Sequence, residues 1–197
     1  EKKMARVSKK TDGKLIVKEY PTAGAHAGHF RHLLQELKIK KQFLPDIIYI
    51  DYLNICMSAR VKGASANSYT IVKSIAEEIR GLAVEYNVPI VSATQVNRSG
   101  HDNSDVGLEN VSESWGLPAT VDFMAVMISS EELAGLDQIM IKQLKNRYND
   151  LNYYNKFVIG VDKAKMKLYE LDDVGQEDVI DKGRVDTKPK SLSAQAT

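Results

Sequence analysis

Two short apolar runs rich in β-branched residues, Ile47-Ile48-Tyr49-Ile50 and Val88-Pro89-Ile90-Val91-Ser92-Ala93, bracket a long helical pattern, and this alternation constrains the fold more than any other feature. Runs of that length without polar alternation suit strands buried on both faces, the situation in a parallel sheet covered by helices. Between them Ile71, Ile75, Ile79, Leu82 and Tyr86 recur at helical spacing, and Asn87 closes the pattern. Upstream, Phe30, Leu33, Leu34 and Leu37 mark a helix over about 26–41, preceded by a short β-type run at 15–17 and the breaker Pro21-Thr22-Ala23-Gly24. Downstream, residues 123–128, 139–141, 157–159 and 167–169 read as further strands in hairpin order. The expected class is α/β: a mainly parallel sheet flanked by helices, with an antiparallel C-terminal extension.

A chain of 197 residues, about two-fifths of them apolar, supports one core. The formal net charge of +1 excludes the strong overall positive field of a nucleic-acid-coating protein, so any basic surface is local. Cys56 stands alone, which rules out an internal disulfide framework and fits a reducing compartment. No apolar run reaches the roughly 18 residues of a membrane span and no signal-peptide core follows the charged start, so a cytosolic, non-membrane protein is expected. The expected organisation is a basic, flexible lead-in over 1–14, a folded unit over 15–171 and a disordered polar tail over 172–197. The start at Glu1 reads as that of an excised piece.

Three places carry chemistry. Asp51 follows the Ile47-Ile48-Tyr49-Ile50 run, and open α/β sheets take their ligands at the carboxyl ends of strands; a carboxylate there can hold Mg²⁺ through its water shell. The same pattern also suits a capping or turn-forming Asp. Gln95, in Ala93-Thr94-Gln95-Val96, leaves the next strand toward the same edge, where an amide can offer its NH₂ to a phosphate oxygen and its carbonyl to a water; a polar residue simply leaving a strand reads alike. In Lys142-Gln143-Leu144-Lys145-Asn146-Arg147-Tyr148, two-residue spacing puts Lys145 and Arg147 on one face, where neighbouring cations call for an anion between them. A phosphate from a neighbouring subunit, with Arg147 as an arginine finger, is one such anion, and an exposed basic edge strand is the other reading.

Taken in order with Asp46-Ile47-Ile48-Tyr49-Ile50-Asp51-Tyr52-Leu53, the helix from Asn67-Ser68-Tyr69-Thr70 through Glu77-Glu78-Ile79-Arg80, and Glu113-Ser114-Trp115-Gly116-Leu117-Pro118-Ala119-Thr120-Val121-Asp122-Phe123, these sites resemble the DnaB-type replicative helicases, with a RecA-like ATPase core, and within them the phage T4-type branch. The resemblance spans about 15–171. It implies ATP and Mg²⁺ as cofactors, with Asp51 at the metal, Gln95 sensing the γ-phosphate, and Lys145 and Arg147 reaching an adjacent subunit. It also implies a homo-hexamer on single-stranded DNA, working with a primase and a helicase loader. Arg60 and Lys62, then Arg98, Ser112 and Glu113, become the DNA-contacting candidates, acting mainly on phosphate.

The sequence departs from the family in two ways. Ser112 and Trp115 stand where cellular members usually carry arginine and glycine. No G-x-x-x-x-G-K-[ST] motif occurs in the chain, so the expectation is a fragment lacking the P-loop strand and the catalytic glutamate, inactive alone and with an exposed sheet edge. Two alternatives stay open: a non-catalytic single-stranded-DNA-binding fragment, and a RecA-class recombinase-like ATPase. His26, His29 and His32 drift around their helix, which favours a partly exposed face over a metal site. Cys56 is read as a small buried residue, and Tyr148, Tyr153 and Tyr154 as cross-strand packing.

Overall fold

The computed structural model describes residues 12–61, 67–96, 107–108, 111 and 116–171. Helix α1 (Ala27–Lys41) starts at a reciprocal cap: His26 Nδ1 accepts from the Gly28 amide and His29 Nδ1 accepts from the His26 amide. Both imidazoles thus serve as acceptors for orphan donors of the first turn. The helix buries Ala27, Leu34 and Leu37, places Lys38, Lys40 and Lys41 near its last carbonyls, and stops at Gln42 in the left-handed conformation.

Strand β1 (Ile48–Ile50) leads through a one-turn 3₁₀ segment (Leu53–Ile55) toward α2 (Ser68–Tyr86). Asn67 caps α2 by accepting from the Thr70 amide at 2.8 Å, and Val72, Ile75, Ala76, Ile79 and Leu82 form its buried stripe. Asn87, at φ 50° and ψ 48°, ends the helix in the left-handed region that asparagine tolerates better than most residues. Strand β2 (Ile90–Ser92) follows and pairs in parallel with β1.

After the five-residue helix α3 (Gly116–Thr120), β3 (Phe123–Ile128), the short helix α4 (Glu131–Gly135), β4 (Gln138–Asn146), β5 (Lys156–Asp162) and β6 (Lys167–Glu170) complete the described elements. These last four strands form an antiparallel sheet in sequence order. Leu144 is the extra residue of a bulge in β4, between the Met124–Lys145 and Ala125–Gln143 pairs. At Gly160 the Tyr169 ring of the facing strand occupies the space a Cβ would need.

One apolar cluster joins the two sheets, drawing Leu53, Val72, Ile75 and Ile79 from the β1–α2 side and Val126, Ile128 and Leu144 from the antiparallel side. The class is the expected α/β, with a parallel part and an antiparallel C-terminal extension, although among the described residues the parallel part is the smaller, a single pair. Two local expectations are corrected. Residues 15–17 form no strand: among the described residues no neighbouring backbone pairs with them, and Leu15 and Val17 are exposed. The strands β1 and β2 are not buried on both faces, since Tyr49 is 71 % exposed and Val91 is exposed beside it; α2 covers one face only. The tail beyond 171 and the lead-in through 11 lie outside the described residues.

Candidate functional site at the carboxyl rim of the parallel pair

Parallel pairing fixes where Asp51 and Gln95 emerge. Ile50 lies opposite Ser92, so both chains leave the sheet at the same rim, Asp51 one residue and Gln95 three residues beyond the paired positions. Three hydrogen bonds stitch the exits together: Ser92 Oγ donates to the Ile50 carbonyl at 2.8 Å, the Leu53 amide to the Ala93 carbonyl at 3.0 Å, and Thr94 Oγ1 to Asn54 Oδ1 at 2.8 Å. A bridge between Val96 and Val111 pins the chain just past Gln95, and Val111 is buried. Asp51 and Gln95 are both exposed, as groups that meet a ligand must be.

Asp51 offers hard oxygen donors at a strand end, which suits Mg²⁺, an ion that keeps several waters and takes few protein ligands. Among the described residues no three His, Cys, Asp or Glu side chains gather into a metal cage.

Lys145 and Arg147 lie at the end of β4, next to the start of β3, and neither enters the apolar interior. Their immediate anion belongs to the same chain. Arg147 Nη1 stands 2.9 Å from Asp122 Oδ1, and its backbone amide donates to the Asp122 carbonyl at 2.9 Å. The guanidinium contact is an ion pair without hydrogen-bond alignment: among the described residues Asp122 Oδ1 accepts no hydrogen bond. Asp122 Oδ2 accepts from Arg80 Nη1 of α2 at 2.7 Å, and Arg80 also donates to the Thr120 carbonyl at 2.8 Å. Lys145 Nζ donates to the Pro118 carbonyl at 2.6 Å and to that of Ala119 at 3.4 Å, so Lys145 and Arg80 together satisfy the C-terminal carbonyls of α3.

The hydrogen bond from Arg80, assisted by Arg147 and Lys145, holds the Asp122 carboxyl below the usual carboxylate range against the opposing effect of burial. Burial and the adjacent Arg147 push the Lys145 ammonium down. Sequence reasoning did not single out Asp122, yet the hairpin supplies the signal: with Phe123 opposite Asn146, one further step sets Asp122 against Arg147.

Arg60 lies at the root of the segment after β1, but its guanidinium turns back onto α2, donating to Glu77 Oε2 at 2.6 Å and the Ser74 carbonyl at 3.1 Å, with Glu78 Oε1 at 3.5 Å. Glu78 is the centre of this corner. It accepts from Ser58 Oγ at 2.5 Å and from the Ala59 and Arg60 amides, while Ser58 Oγ accepts from the Arg60 and Val61 amides. Burial opposes the charge on Glu78, but these hydrogen bonds hold its carboxyl below the ordinary value. Lys62, Arg98, Ser112 and Glu113 lie outside the described residues.

The mixed α/β arrangement, a parallel pair joined through one apolar cluster to an antiparallel sheet, is similar to the RecA-like domains of DnaB-like helicases. Solved structures agree. One solved ATPase domain superposes with a TM-score of 0.60 at 16% identity, over 75% of this chain and 52% of that one. A DnaB-like replicative helicase, from a structure describing its interactions with primase, superposes with a TM-score of 0.62 at 16% identity, over 75% of this chain and 36% of that one. The family model of the DnaB-like helicase C-terminal domain matches residues 2–154. A DnaB-like replicative helicase of Enterobacteria phage T4 is 54% identical over 164 residues, 83% of this chain. The chain belongs to the DnaB-like helicase C-terminal domain family. It spans 34% of the length of the phage T4 relative.

Proposed function

We propose that the chain is the C-terminal part of the ATP-driven motor of a cytosolic replicative helicase that works as a hexameric ring, translocates on single-stranded DNA and unwinds the duplex, alongside a primase and a loader. The observation that carries this reading is the pairing of Ile50 with Ser92, which brings Asp51 and Gln95 to one rim and leaves them exposed. Asp51 would orient the water shell of Mg²⁺, and Gln95 would hold the terminal phosphate and the attacking water. Mg²⁺ supplies neutralisation of the charge on the phosphate oxygens. Lys145 and Arg147, outside the apolar core at the end of β4, would reach the nucleotide of an adjacent subunit, which explains why a ring is needed.

Lys62 and Arg98 are the proposed phosphate contacts to DNA, with Ser112 and Glu113 on the following segment. Arg60 is assigned to anchoring the root of its segment, because its guanidinium is engaged by Glu77 and Glu78. The chain by itself carries no G-x-x-x-x-G-K-[ST] motif and does not turn over ATP in this reading.

The test is made in the full-length subunit. Asp51→Asn, Gln95→Ala and Arg147→Ala should each cut DNA-stimulated ATP turnover by about 10²-fold or more. In rings mixed from Arg147→Ala and Asp51→Asn subunits, some interfaces regain both wild-type groups, so turnover should exceed that of either variant alone. Turnover at the wild-type level in Arg147→Ala, or no recovery on mixing, refutes action across the subunit interface.

A further inference from the structure

We propose that Asp122 is the positioning residue of Arg147, fixing the guanidinium at the end of β4 and tying it through Arg80 to α2. The inference rests on the trans role assigned to Arg147 above. Two separate contacts join the residues, a hydrogen bond from the Arg147 backbone amide and an ion pair between the side chains, so both the strand end and the guanidinium are referred to Asp122. The other carboxylate oxygen is held by Arg80, which is itself fixed by the Thr120 carbonyl. Asp122 therefore joins the β3–β4 hairpin to the helix packed over the Asp51 strand, and the Arg147 head group cannot shift without loosening that joint.

Charge leads to the same assignment. Among the described residues Arg80, Lys145 and Arg147 surround a single carboxylate, so Asp122 lowers their mutual repulsion and leaves these four groups with an excess of two positive charges. An anion arriving from outside is attracted to this end without having to expel Asp122. The ion pair with Arg147 is not aligned as a hydrogen bond, so the guanidinium donors are not spent on Asp122 Oδ1. A charged group that sets orientation while leaving donors available is what a cation acting on a neighbour's phosphate needs.

The experiment compares ATP turnover in the full-length subunit for Asp122→Asn, Arg147→Ala and the double variant, with ring assembly and melting temperature measured on each. Asp122→Asn keeps the shape but removes the charge. The expected result is a kcat about tenfold lower with KM for ATP changed less than about twofold, because orientation and not nucleotide binding is lost. Asp122→Glu, which restores the charge, should recover part of that loss. The double variant should be no worse than Arg147→Ala, since the effect of Asp122 on turnover is proposed to run through Arg147. Wild-type kcat in Asp122→Asn, or a further loss in the double variant, overturns the inference while the reading of Arg147 stands. Wild-type turnover in Arg147→Ala overturns the reading itself. If Asp122→Asn does not fold, Arg80→Gln takes its place: a lowered kcat at unchanged KM supports the positioning role, and an unchanged kcat overturns it.

Discussion

Replacing Glu78 with alanine tests the corner that holds the chain after β1 against α2. The side chain is 9% exposed, and its carboxylate accepts hydrogen bonds from the buried Ser58 hydroxyl and from the Ala59 and Arg60 amides. Hydrogen bonds to a charged group contribute roughly 1.5–3 kcal/mol each. The Ala59 and Arg60 amides belong to exposed residues, so water replaces most of what they lose. Ser58 has no such recourse, because its oxygen already accepts from the Arg60 and Val61 amides and its proton needs a buried acceptor. The exposed ion pair with Arg60 adds about 0–1 kcal/mol. The net cost of Glu78→Ala is therefore about 3 kcal/mol, or roughly 6–12 °C in melting temperature for a domain of this size. Equilibrium urea unfolding at pH 7 measures it. A Glu78→Ala/Ser58→Ala cycle should show a coupling of about 1.5–2 kcal/mol, since each substitution removes the same buried bond. A cost below about 1 kcal/mol, or additive single effects, would refute the network argument.

Because the Glu78 carboxyl is held below its ordinary value of 4.5, its contribution is fully present above that pH and is lost as pH falls through the lower folded-state value; Glu78→Gln should flatten that part of the stability–pH curve. Leu82→Ala, at a side chain with 0% exposure on α2, should cost about 2–5 kcal/mol in the same unfolding assay. Asn87→Val, which forces a β-branched residue into the left-handed cap, should lower the melting temperature more than Asn87→Gly. Gly160→Ala should displace the Tyr169 ring at a cost of about 1–3 kcal/mol, visible as a change in tyrosine fluorescence alongside the loss of stability.

The elements legible in the sequence are those set by local pattern. The stripe of Ile75, Ile79 and Leu82 is the buried face of α2, Asn87 is its stop, and the strand carrying Ile48 and Ile50 does stop just before Asp51. Residues 15–17 misled because β-branched composition describes what a strand tolerates, while pairing needs a neighbour that the local sequence cannot supply. The rim shared by Asp51 and Gln95 was legible because two parallel strands joined by a helix leave little choice of direction. The Asp122 joint and the Glu78 corner were not, since each depends on partners far apart in sequence: Arg80 is 42 residues from Asp122, and Ser58 is 20 from Glu78. The period-two spacing of Lys145 and Arg147 calls for an anion beside them but does not say which, and the fold supplies one from the same chain in Asp122. Helix α4 went unread although Ser130, followed by Glu131 and Glu132, is a capping signal.

The division of the strands into a parallel pair and an antiparallel four bears on how the chain behaves in the test tube. Among the described residues, β2 pairs only with β1 and β3 only with β4, and Tyr49, Val91, Phe123 and Met127 are exposed on these strands. Handled alone at high concentration, such a chain should precipitate through strand-to-strand adhesion, with a solubility that tracks Phe123 and Met127 more closely than net charge.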